Sequence, residues 1–225
     1  CCRVTVPIIS LGGSIFSKDG QVYLEEFIER IRDESSYAIV VGGGPLAREK
    51  IAWLRKMGVG EYQLDIVGIY FTRINALSLS LALGGLLEIP ENINSAVKDL
   101  QLYGKVVMGG TEPGHTTDAV SLLLAEAVGA KSVVNVTDID ALYDKRPDIP
   151  GAKKIRNASF SDAAAMILAE KRGAGSNFPI DALSLNIAQR SNITIKIVSF
   201  KDMDNVFACI QGKKFKGTLI GASKV

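Results

Sequence analysis

Short apolar runs rich in valine and isoleucine alternate along this chain with longer segments in which apolar residues recur every third or fourth position. The short runs predict strands buried on both faces, and the longer segments predict amphipathic helices. Strands are predicted at residues 4–11, 37–41, 105–108, 132–136, 193–199 and 218–220. Helices are predicted at residues 22–33, 45–57, 68–83, 116–128, 160–171, 180–189 and 202–211. Strands that alternate with helices in this way indicate an α/β fold with a parallel sheet.

Two segments qualify this simple alternation. Residues 69–87 form the longest apolar stretch, but Arg73, Asn75 and several serines interrupt it, so it predicts a buried helix rather than a membrane span. Residues 138–155 are rich in proline, aspartate and lysine, which is typical of a long functional loop. The 225 residues carry no internal repeat and no convincing linker, so a single domain is expected.

The composition narrows the class of protein further. Hydrophobic residues make up 47% of the chain and charged residues 22%, which argues against an intrinsically disordered protein. The formal net charge is +2, and no block of like charges predicts a nucleic-acid-binding arm. The three cysteines, Cys1, Cys2 and Cys209, fit neither a disulfide framework nor a zinc site, and no export signal is evident. A cytoplasmic protein without a nucleic-acid or membrane partner is therefore expected.

Three of the predicted strands end in glycine turns, at residues 12–13, 42–44 and 109–110. The carboxyl ends of parallel strands lie on one edge of a sheet, where ligands bind. Backbone without Cβ atoms approaches a phosphate closely, and its N–H groups together with a helix N-terminus form an anion site. Any one turn by itself is more simply an ordinary loop. Three in register with strand ends predict one cleft that holds several phosphates.

Two familiar nucleotide-binding motifs fit this chain poorly. The string G-x-x-x-x-G-K-[ST] of P-loop proteins does not occur. Gly42, Gly44 and Ala47 satisfy the loose dinucleotide pattern, with Asp65 about 20 residues further on, as that pattern asks. However, residues 58–64 contain no strand-like run that would end near this acid. A Rossmann oxidoreductase is kept only as a minor alternative.

The string GGTEPGHTTDA at residues 109–119 joins a glycine turn to a predicted helix start. Thr116 and Thr117 offer hydroxyls beside the free N–H groups of that start, which suits phosphate oxygens. Asp118 would lie in the first turn of the helix. There it could simply favour the helix dipole, or it could orient a donor or hold Mg²⁺ at ATP oxygens. The spacing alone leaves these roles open.

At these residues the chain resembles the amino-acid-kinase superfamily, and specifically the archaeal UMP kinases. The resemblance runs through LGGSIF, VVGGGPLAR, LDIVGIYFTRINA, GGTEPGHTTDA, NVTDIDALY and IDALSLNIAQRS, in this order. It implies a three-layer αβα sandwich around a mainly parallel eight-stranded sheet. It also implies one domain with an acceptor-binding part at about 1–130 and an ATP-binding part at about 131–225. ATP and UMP as substrates, Mg²⁺ with the ATP, and a homohexamer follow from the same resemblance.

The resemblance also implies roles for individual residues. The residues it places at the transferring group are Asp118, Asp181 and Ser14. Those it assigns to UMP are Gly43, Gly44, Arg48, Asp65, Thr111 and Thr117. Those it assigns to ATP are Gly12, Gly13, Ser14, Thr137, Asp140, Tyr143 and Lys153. It implies no protein site dedicated to a metal.

Departures from the family pattern keep other functions open. Ser10 stands where many members carry a lysine that neutralises phosphate charge, and Ala141 and Arg146 change the usual V-D-G-V-Y-x-x-D-P string. A kinase of the same fold with another acceptor, such as isopentenyl phosphate, acetylglutamate, carbamate or aspartate, is one alternative. A nucleotide-binding, oxyanion-binding or storage member without catalysis is another.

Overall fold

The computed structural model describes residues 6–145, 149, 151–170 and 179–221. The strands are β1 (Ile8–Leu11), β2 (Tyr37–Val41), β3 (Lys105–Met108), β4 (Ser132–Thr137), β5 (Leu142–Tyr143), β6 (Lys154–Ile155), β7 (Asn157–Ala158), β8 (Thr194–Ser199) and β9 (Thr218–Ile220). The helices are α1 (Gln21–Ile31), α2 (Gly44–Lys56), α3 (Glu61–Ala82), α4 (Ile93–Tyr103), α5 (Thr117–Val128), α6 (Phe160–Glu170), α7 (Ala182–Arg190) and α8 (Met203–Ile210). A short 3₁₀ helix, Gly13–Phe16, follows β1.

The strands form one sheet in the order β3-β2-β1-β4-β8-β9-β7. β1, β2, β3, β4 and β8 run parallel, and only β9 pairs antiparallel with its neighbour β8 in this sheet. The mainly parallel sheet is therefore confirmed. The described residues give it seven strands where the resemblance implied eight, because β5 and β6 pair with each other in a separate hairpin. Since the parallel strands all end at one edge, the loops after β1, β2, β3 and β4 meet there.

Apolar side chains cover both faces of the sheet, which gives the three predicted layers. Successive residues of β1 point to opposite faces, so Ile8 packs with α4, α5 and α7, whereas Ile9 packs with α1, α3 and α8. Both β1 and β2 are buried along their whole length. This burial on both faces explains why the strands appear in the sequence as continuous apolar runs rather than as alternating patterns.

Two helices differ from the sequence-based expectation. α3 begins at Glu61, well before the predicted start at residue 68. Gly68 does not start the helix but lies inside it, facing Ile51 of α2, where an added Cβ atom would make an ordinary contact at 3.4 Å. α4 was not predicted at all, although Asn92 caps it by accepting a hydrogen bond from Ser95 N, and Gly104 ends it at φ 72°.

The prediction that α3 is a buried helix is only half correct. By length and composition it could cross a membrane, with a mean hydropathy of 1.2 over an 18-residue window. In the fold, one of its faces is buried, and Ala76 and Leu79 on this face pack in the core against the sheet. The opposite face exposes Tyr62, Tyr70, Ile74 and Leu81. α3 is thus a core helix with a second apolar face directed outward.

The segment predicted as a long loop at residues 138–155 contains the hairpin β5–β6 among its described residues. Tyr143 pairs with Lys154 across this hairpin. The altered position Arg146 lies outside the described residues, as do Cys1 and Cys2. Cys209, the third cysteine, is buried in α8, where burial raises the pKa of its thiol to about 12.

Candidate active site

The glycine turns after β1 and β2 lie in direct contact. β1 and β2 are neighbours in parallel register, with Leu11 opposite Val41, so their ends bring the two turns side by side. A Cβ atom on Gly13 would lie only 2.1 Å from the backbone nitrogen of Gly44. No side chain fits between the two turns, which accounts for glycine at this position. The predicted gathering of these turns at one edge of the sheet is confirmed.

A cleft of about 570 Å³ opens at this contact. Both glycine turns line it, together with the amino end of α5 and the residues that follow β4. Its described lining residues are Gly12, Gly13, Ser14, Gly42, Gly43, Gly44, Arg48, Thr117, Asp118, Asn135, Thr137, Asp138 and Pro179. The predicted residues Gly12, Gly13, Ser14, Gly43, Gly44, Arg48, Thr117, Asp118 and Thr137 thus surround one space.

The third glycine turn lies at the same edge but does not line this cleft. β3 is the edge strand of the sheet, and α3 passes over its end. Gly110 N donates a 2.6 Å hydrogen bond to Thr72 Oγ1, and Arg73 Nε donates to Gly110 O at 3.2 Å. Arg73 also donates to the carbonyl of Thr111 at 3.5 Å. The expectation that all three turns open into one cavity is therefore wrong for this turn, because α3 occupies the space in front of it.

Asp118 lies at the amino end of α5, where Thr116 caps the helix by accepting a 3.1 Å hydrogen bond from Ala119 N. The hydroxyl of Ser10, in the middle of β1, donates to Asp118 Oδ1 at 2.6 Å. Desolvation raises the pKa of Asp118 to about 6; the Ser10 hydrogen bond opposes this rise, and the charge of Asp181 adds to it. Asp118 therefore changes its charge near neutral pH, which is typical of carboxylates at functional sites.

Asp181 connects two helices behind the cleft. It caps α7 by accepting a 3.0 Å hydrogen bond from Ser184 N, and it accepts another at 2.5 Å from Thr116 Oγ1. Burial raises the pKa of Asp181, but hydrogen bonds from Ser184 and Thr116 outweigh burial and leave the pKa below its usual value. The carboxylate is thus held in its ionised form. Its place at the transferring group stays a prediction, because it does not line the cleft.

The predicted ATP residues beyond Thr137 form a separate polar cluster on the hairpin. Asp140 accepts hydrogen bonds from Tyr143 Oη at 2.9 Å and from Lys154 Nζ at 2.5 Å. Lys153, the predicted residue, contributes its backbone N–H to Asp144 at 2.8 Å. The strand pairing places Lys154, and not the predicted Lys153, opposite Tyr143, so Lys154 is the lysine whose side chain joins this cluster.

Of the residues predicted to bind UMP, Arg48 lines the cleft, whereas Asp65 and Thr111 are not among its described lining residues. Arg48 is exposed on α2 and lines the cleft, and no acidic partner is found for it within residues 6–145, 149, 151–170 and 179–221. Asp65, on α3, accepts a 2.8 Å hydrogen bond from Gly114 N. This bond ties α3 to the loop that follows the third glycine turn, so Asp65 faces the residues between that turn and α5.

Three residues of the cleft wall outside the glycine turns were not predicted as site residues, namely Asn135, Asp138 and Pro179. Asn135 is buried in β4, with 4% of its surface exposed, and its Nδ2 donates to Pro179 O at 3.1 Å. It lies opposite Ser10 in the register of β1 and β4. A signal was available, since Asn135 is an amide within the apolar run SVVNVT, and a polar side chain inside a buried strand calls for a partner. No signal marked Pro179.

Comparison with known proteins agrees with this geometry. The model of the amino acid kinase family matches residues 5–199. A uridylate kinase of Thermoplasma acidophilum is 42% identical over 220 residues, which cover 95% of both chains. A uridylate kinase structure from Archaeoglobus fulgidus is similar with a TM-score of 0.78 at 33% identity, covering 94% of this chain and 98% of that one. A UMP kinase structure from Bacillus anthracis, at 19% identity and a TM-score of 0.74 over 96% and 95% of the two chains, shares the fold. The chain belongs to the amino acid kinase family and, within it, to the archaeal type of uridylate kinase.

Proposed function

We propose that this chain transfers the γ-phosphoryl group of ATP to UMP, which yields UDP and ADP for pyrimidine nucleotide synthesis. The observation that carries the proposal is the contact between the glycine turns of β1 and β2 at a single cleft that Asp118 also lines. Two phosphorylated ligands bound at adjacent turns would meet end to end, as phosphoryl transfer requires. The names of the relatives support UMP as the acceptor.

On the acceptor side, the phosphate of UMP would bind at Gly43 and Gly44, where α2 begins, with Arg48 clamping its oxygens. The free N–H groups of a helix start and a guanidinium both favour a dianionic phosphate. Thr117 would add a hydroxyl from the first turn of α5. Asp65 and Thr111 would hold the nucleoside part of UMP. In this arrangement the acceptor-binding part spans about 1–130, and the donor-binding part spans about 131–225 of the same domain.

On the donor side, the transferring phosphates of ATP would bind at Gly12, Gly13 and Ser14. Thr137, Asp140, Tyr143 and Lys153 would line the remainder of the ATP site. Mg²⁺ would enter bound to the ATP phosphates, since this ion takes oxygen ligands and keeps most of them from phosphate and water. The hydroxyl of Thr137 and the carboxylate of Asp138, joined at 3.2 Å, offer such oxygens beside the cleft. When bound, the ion would neutralise charge that develops on the transferring group.

The residues of this chain would contribute mainly position and charge. The attacking phosphate of UMP is already anionic, so the reaction needs no strong general base. Arg48 and the N–H groups at the starts of α2 and α5 would offset the repulsion between the two phosphate chains. Asp118, fixed by Ser10, would orient donors around the transferring group, and Asp181 would hold the start of α7 against that of α5.

We further infer a homohexamer in the cytoplasm. The outward faces of α2 and α3 expose a set of large apolar side chains, which are Leu46, Trp53, Met57, Tyr62, Tyr70, Ile74 and Leu81. An apolar surface of this extent favours burial between subunits. Light scattering after size-exclusion chromatography measures the mass directly: six times the 24.1 kDa of one chain is expected. A monomer in solution would contradict the assembly without affecting the assignment of the cleft.

One coupled assay tests the function. The protein is given ATP and Mg²⁺ together with UMP, CMP, acetylglutamate or isopentenyl phosphate, and formation of ADP is followed. Turnover with UMP, and product identified as UDP, is the expected result. Turnover with another acceptor alone would reassign the substrate. Tight binding of nucleotide without turnover on any acceptor would instead indicate a binding or storage protein of the same fold.

A further inference from the structure

The side-chain amide of Asn75 bridges two consecutive carbonyl groups of the glycine turn after β2. Its Nδ2 donates to the carbonyl oxygen of Gly42 at 2.8 Å and to that of Gly43 at 3.1 Å. Asn75 lies in the middle of α3, next to Ala76, and Ala76 and Leu79 of this helix are buried in the core against the sheet. A rigid element of the core therefore holds two adjacent peptide groups at the border of the cleft.

These two hydrogen bonds fix the direction in which two N–H groups point. In a trans peptide the C=O and N–H bonds point in opposite directions, and none of the described peptide bonds is cis. With the carbonyls of Gly42 and Gly43 turned toward Asn75, the N–H groups of Gly43 and Gly44 point away from α3. Among the residues that the structure describes, neither N–H group has an acceptor. Both glycines line the cleft, so two unpaired donors are available there.

A glycine turn needs such a clamp because its peptide groups rotate easily. Glycine adopts positive and negative φ values at similar cost, and Gly44 is at φ 76°. Rotation of the peptide group between Gly42 and Gly43 would replace a donor by a carbonyl oxygen. An anion at that place would then meet a partial negative charge instead of an N–H group.

We propose that Asn75 is a positioning residue, which acts by holding the peptide groups of residues 42–44 with their N–H groups toward the acceptor phosphate. Asn75 does not touch the phosphate itself. The identification of the anion as the phosphate of UMP rests on the proposed function, whereas the orientation of the two donors rests on the hydrogen bonds alone. Thr72 and Arg73, its neighbours on α3, hold the third turn instead, so the role assigned to Asn75 is separate from theirs.

The substitution Asn75→Asp tests this directly, because it keeps the shape of the side chain and removes the donor. A carboxylate would face the two carbonyl oxygens and repel them, which favours rotation of the peptide groups. We expect the affinity for UMP to fall about 10- to 100-fold, the range for loss of one hydrogen bond to a charged group. The affinity for uridine, which has no phosphate, should change less than about twofold. Both are measured by isothermal titration calorimetry, with uridine also as a competitor of UMP.

A matched control is available on α8. Asn205 donates from Nδ2 to Lys216 O at 2.7 Å, so Asn205→Asp also removes an amide donor to backbone, in a part of the fold that does not line the cleft. Its affinity for UMP should equal that of the parent protein. Asn75→Ala, which removes the donor without adding charge, should lie between the parent and Asn75→Asp, and it serves if the aspartate variant does not fold.

The outcomes separate the inference from its alternatives. Parent-like UMP binding by a folded Asn75→Asp or Asn75→Ala variant would overturn the positioning role. Equal losses for UMP and uridine would overturn it too, since they would show a general distortion. Titration with inorganic phosphate makes the test independent of the acceptor. Weaker phosphate binding by the two variants supports the positioning role even if the parent protein does not phosphorylate UMP. Failure of the parent protein to phosphorylate UMP would contradict only the proposed function.

Discussion

The hydroxyl of Ser10 donates a 2.6 Å hydrogen bond to the carboxylate of Asp118, across the space between β1 and the start of α5. Ser10 is almost completely buried, with 2% of its surface exposed. Many members of the family that the sequence resembles carry a lysine at this position, which could pair with the carboxylate as an ion, and some archaeal members also lack it. A neutral hydroxyl supports the ionised carboxylate less, so desolvation dominates and the pKa of Asp118 rises to about 6.

Replacing Asp118 by asparagine should separate stability from activity. The pKa of Asp118 is raised in the folded protein from 3.8 to about 6, so its favourable contribution is complete below pH 3.8 and is lost as the pH rises through 6. Asp118→Asn should therefore raise the free energy of unfolding at pH 7.5 by about 1–3 kcal/mol. Turnover should fall at least about 100-fold, with a smaller change in UMP affinity. Urea unfolding at pH 3.5 and 7.5 checks the first effect, and steady-state kinetics checks the second. A variant with parent-like turnover would exclude Asp118 from catalysis.

Ser10→Ala should change the pH dependence of turnover. Without the hydroxyl, Asp118 loses a hydrogen bond that favours its ionised form, so its pKa rises further. The acidic limb of the kcat profile, expected near pH 6 in the parent, should move up by about one pH unit. Kinetics between pH 5 and 9 at saturating ATP and UMP measure the shift. Ser10→Thr, which keeps a hydroxyl, is the control. If the acidic limb of the kcat profile stayed at the same pH in Ser10→Ala, a group other than Asp118 would determine that limb.

Arg48→Ala should chiefly weaken the binding of UMP. The guanidinium is the cation of the described cleft wall and, within the described residues, has no acidic partner that would compete for it. We expect KM for UMP to rise about 10- to 100-fold and kcat to change less, with Arg48→Lys between. Arg55 on the same helix, which pairs with Glu61 at 2.8 Å, provides the control. Arg55→Ala should leave KM unchanged.

Gly13→Ala should abolish activity through a clash rather than through loss of chemistry. Its Cβ would lie 2.1 Å from Gly44 N, so the two glycine turns would have to separate. Binding of both ATP and UMP should weaken, each by about tenfold or more, as equilibrium titrations can show. Gly68→Ala is the matched control: its Cβ would meet Ile51 at 3.4 Å, an ordinary contact, and alanine favours the helix. Full activity in Gly13→Ala would show that activity does not depend on the tight contact between the two glycine turns.

Two substitutions distinguish the capping role of Asp181 from its predicted catalytic role. Asparagine caps a helix about as well as aspartate, so Asp181→Asn should change the free energy of unfolding little, whereas Asp181→Ala should lower it by about 1–2 kcal/mol. The pKa of Asp181 is lowered by its hydrogen bonds, so this stabilisation is present above pH 3.8 and disappears in acid. A large loss of turnover in Asp181→Asn at unchanged stability would support catalysis. Parent-like turnover in Asp181→Asn would leave helix capping as the only role of Asp181 among the two.

The longer strands and most helices could be predicted because local pattern decides them, whereas the two-residue strands β5, β6 and β7 were not predicted. β2, β3 and β9 begin and end where the apolar runs do, since strands buried on both faces admit few polar residues. The early start of α3 could not be predicted, because Gly68 resembles a helix boundary, whereas the structure places it inside the helix beside Ile51 of α2. Packing between elements that are distant in sequence leaves no local pattern.

For the site, the sequence by itself determined which segments are candidates for binding anions: glycines at strand ends, followed by helix starts, bring backbone N–H groups without neighbouring Cβ atoms to one edge of a parallel sheet. Only the tertiary structure decided how these groups are aimed and which of them meet. The order β3-β2-β1-β4 brings the turns at Gly13 and Gly44 into contact and leaves the turn at Gly110 behind α3. The bonds from Ser10 to Asp118 and from Asn75 to Gly42 join residues from separate elements. Such bonds depend on how the layers pack, and packing is a property of the folded chain as a whole.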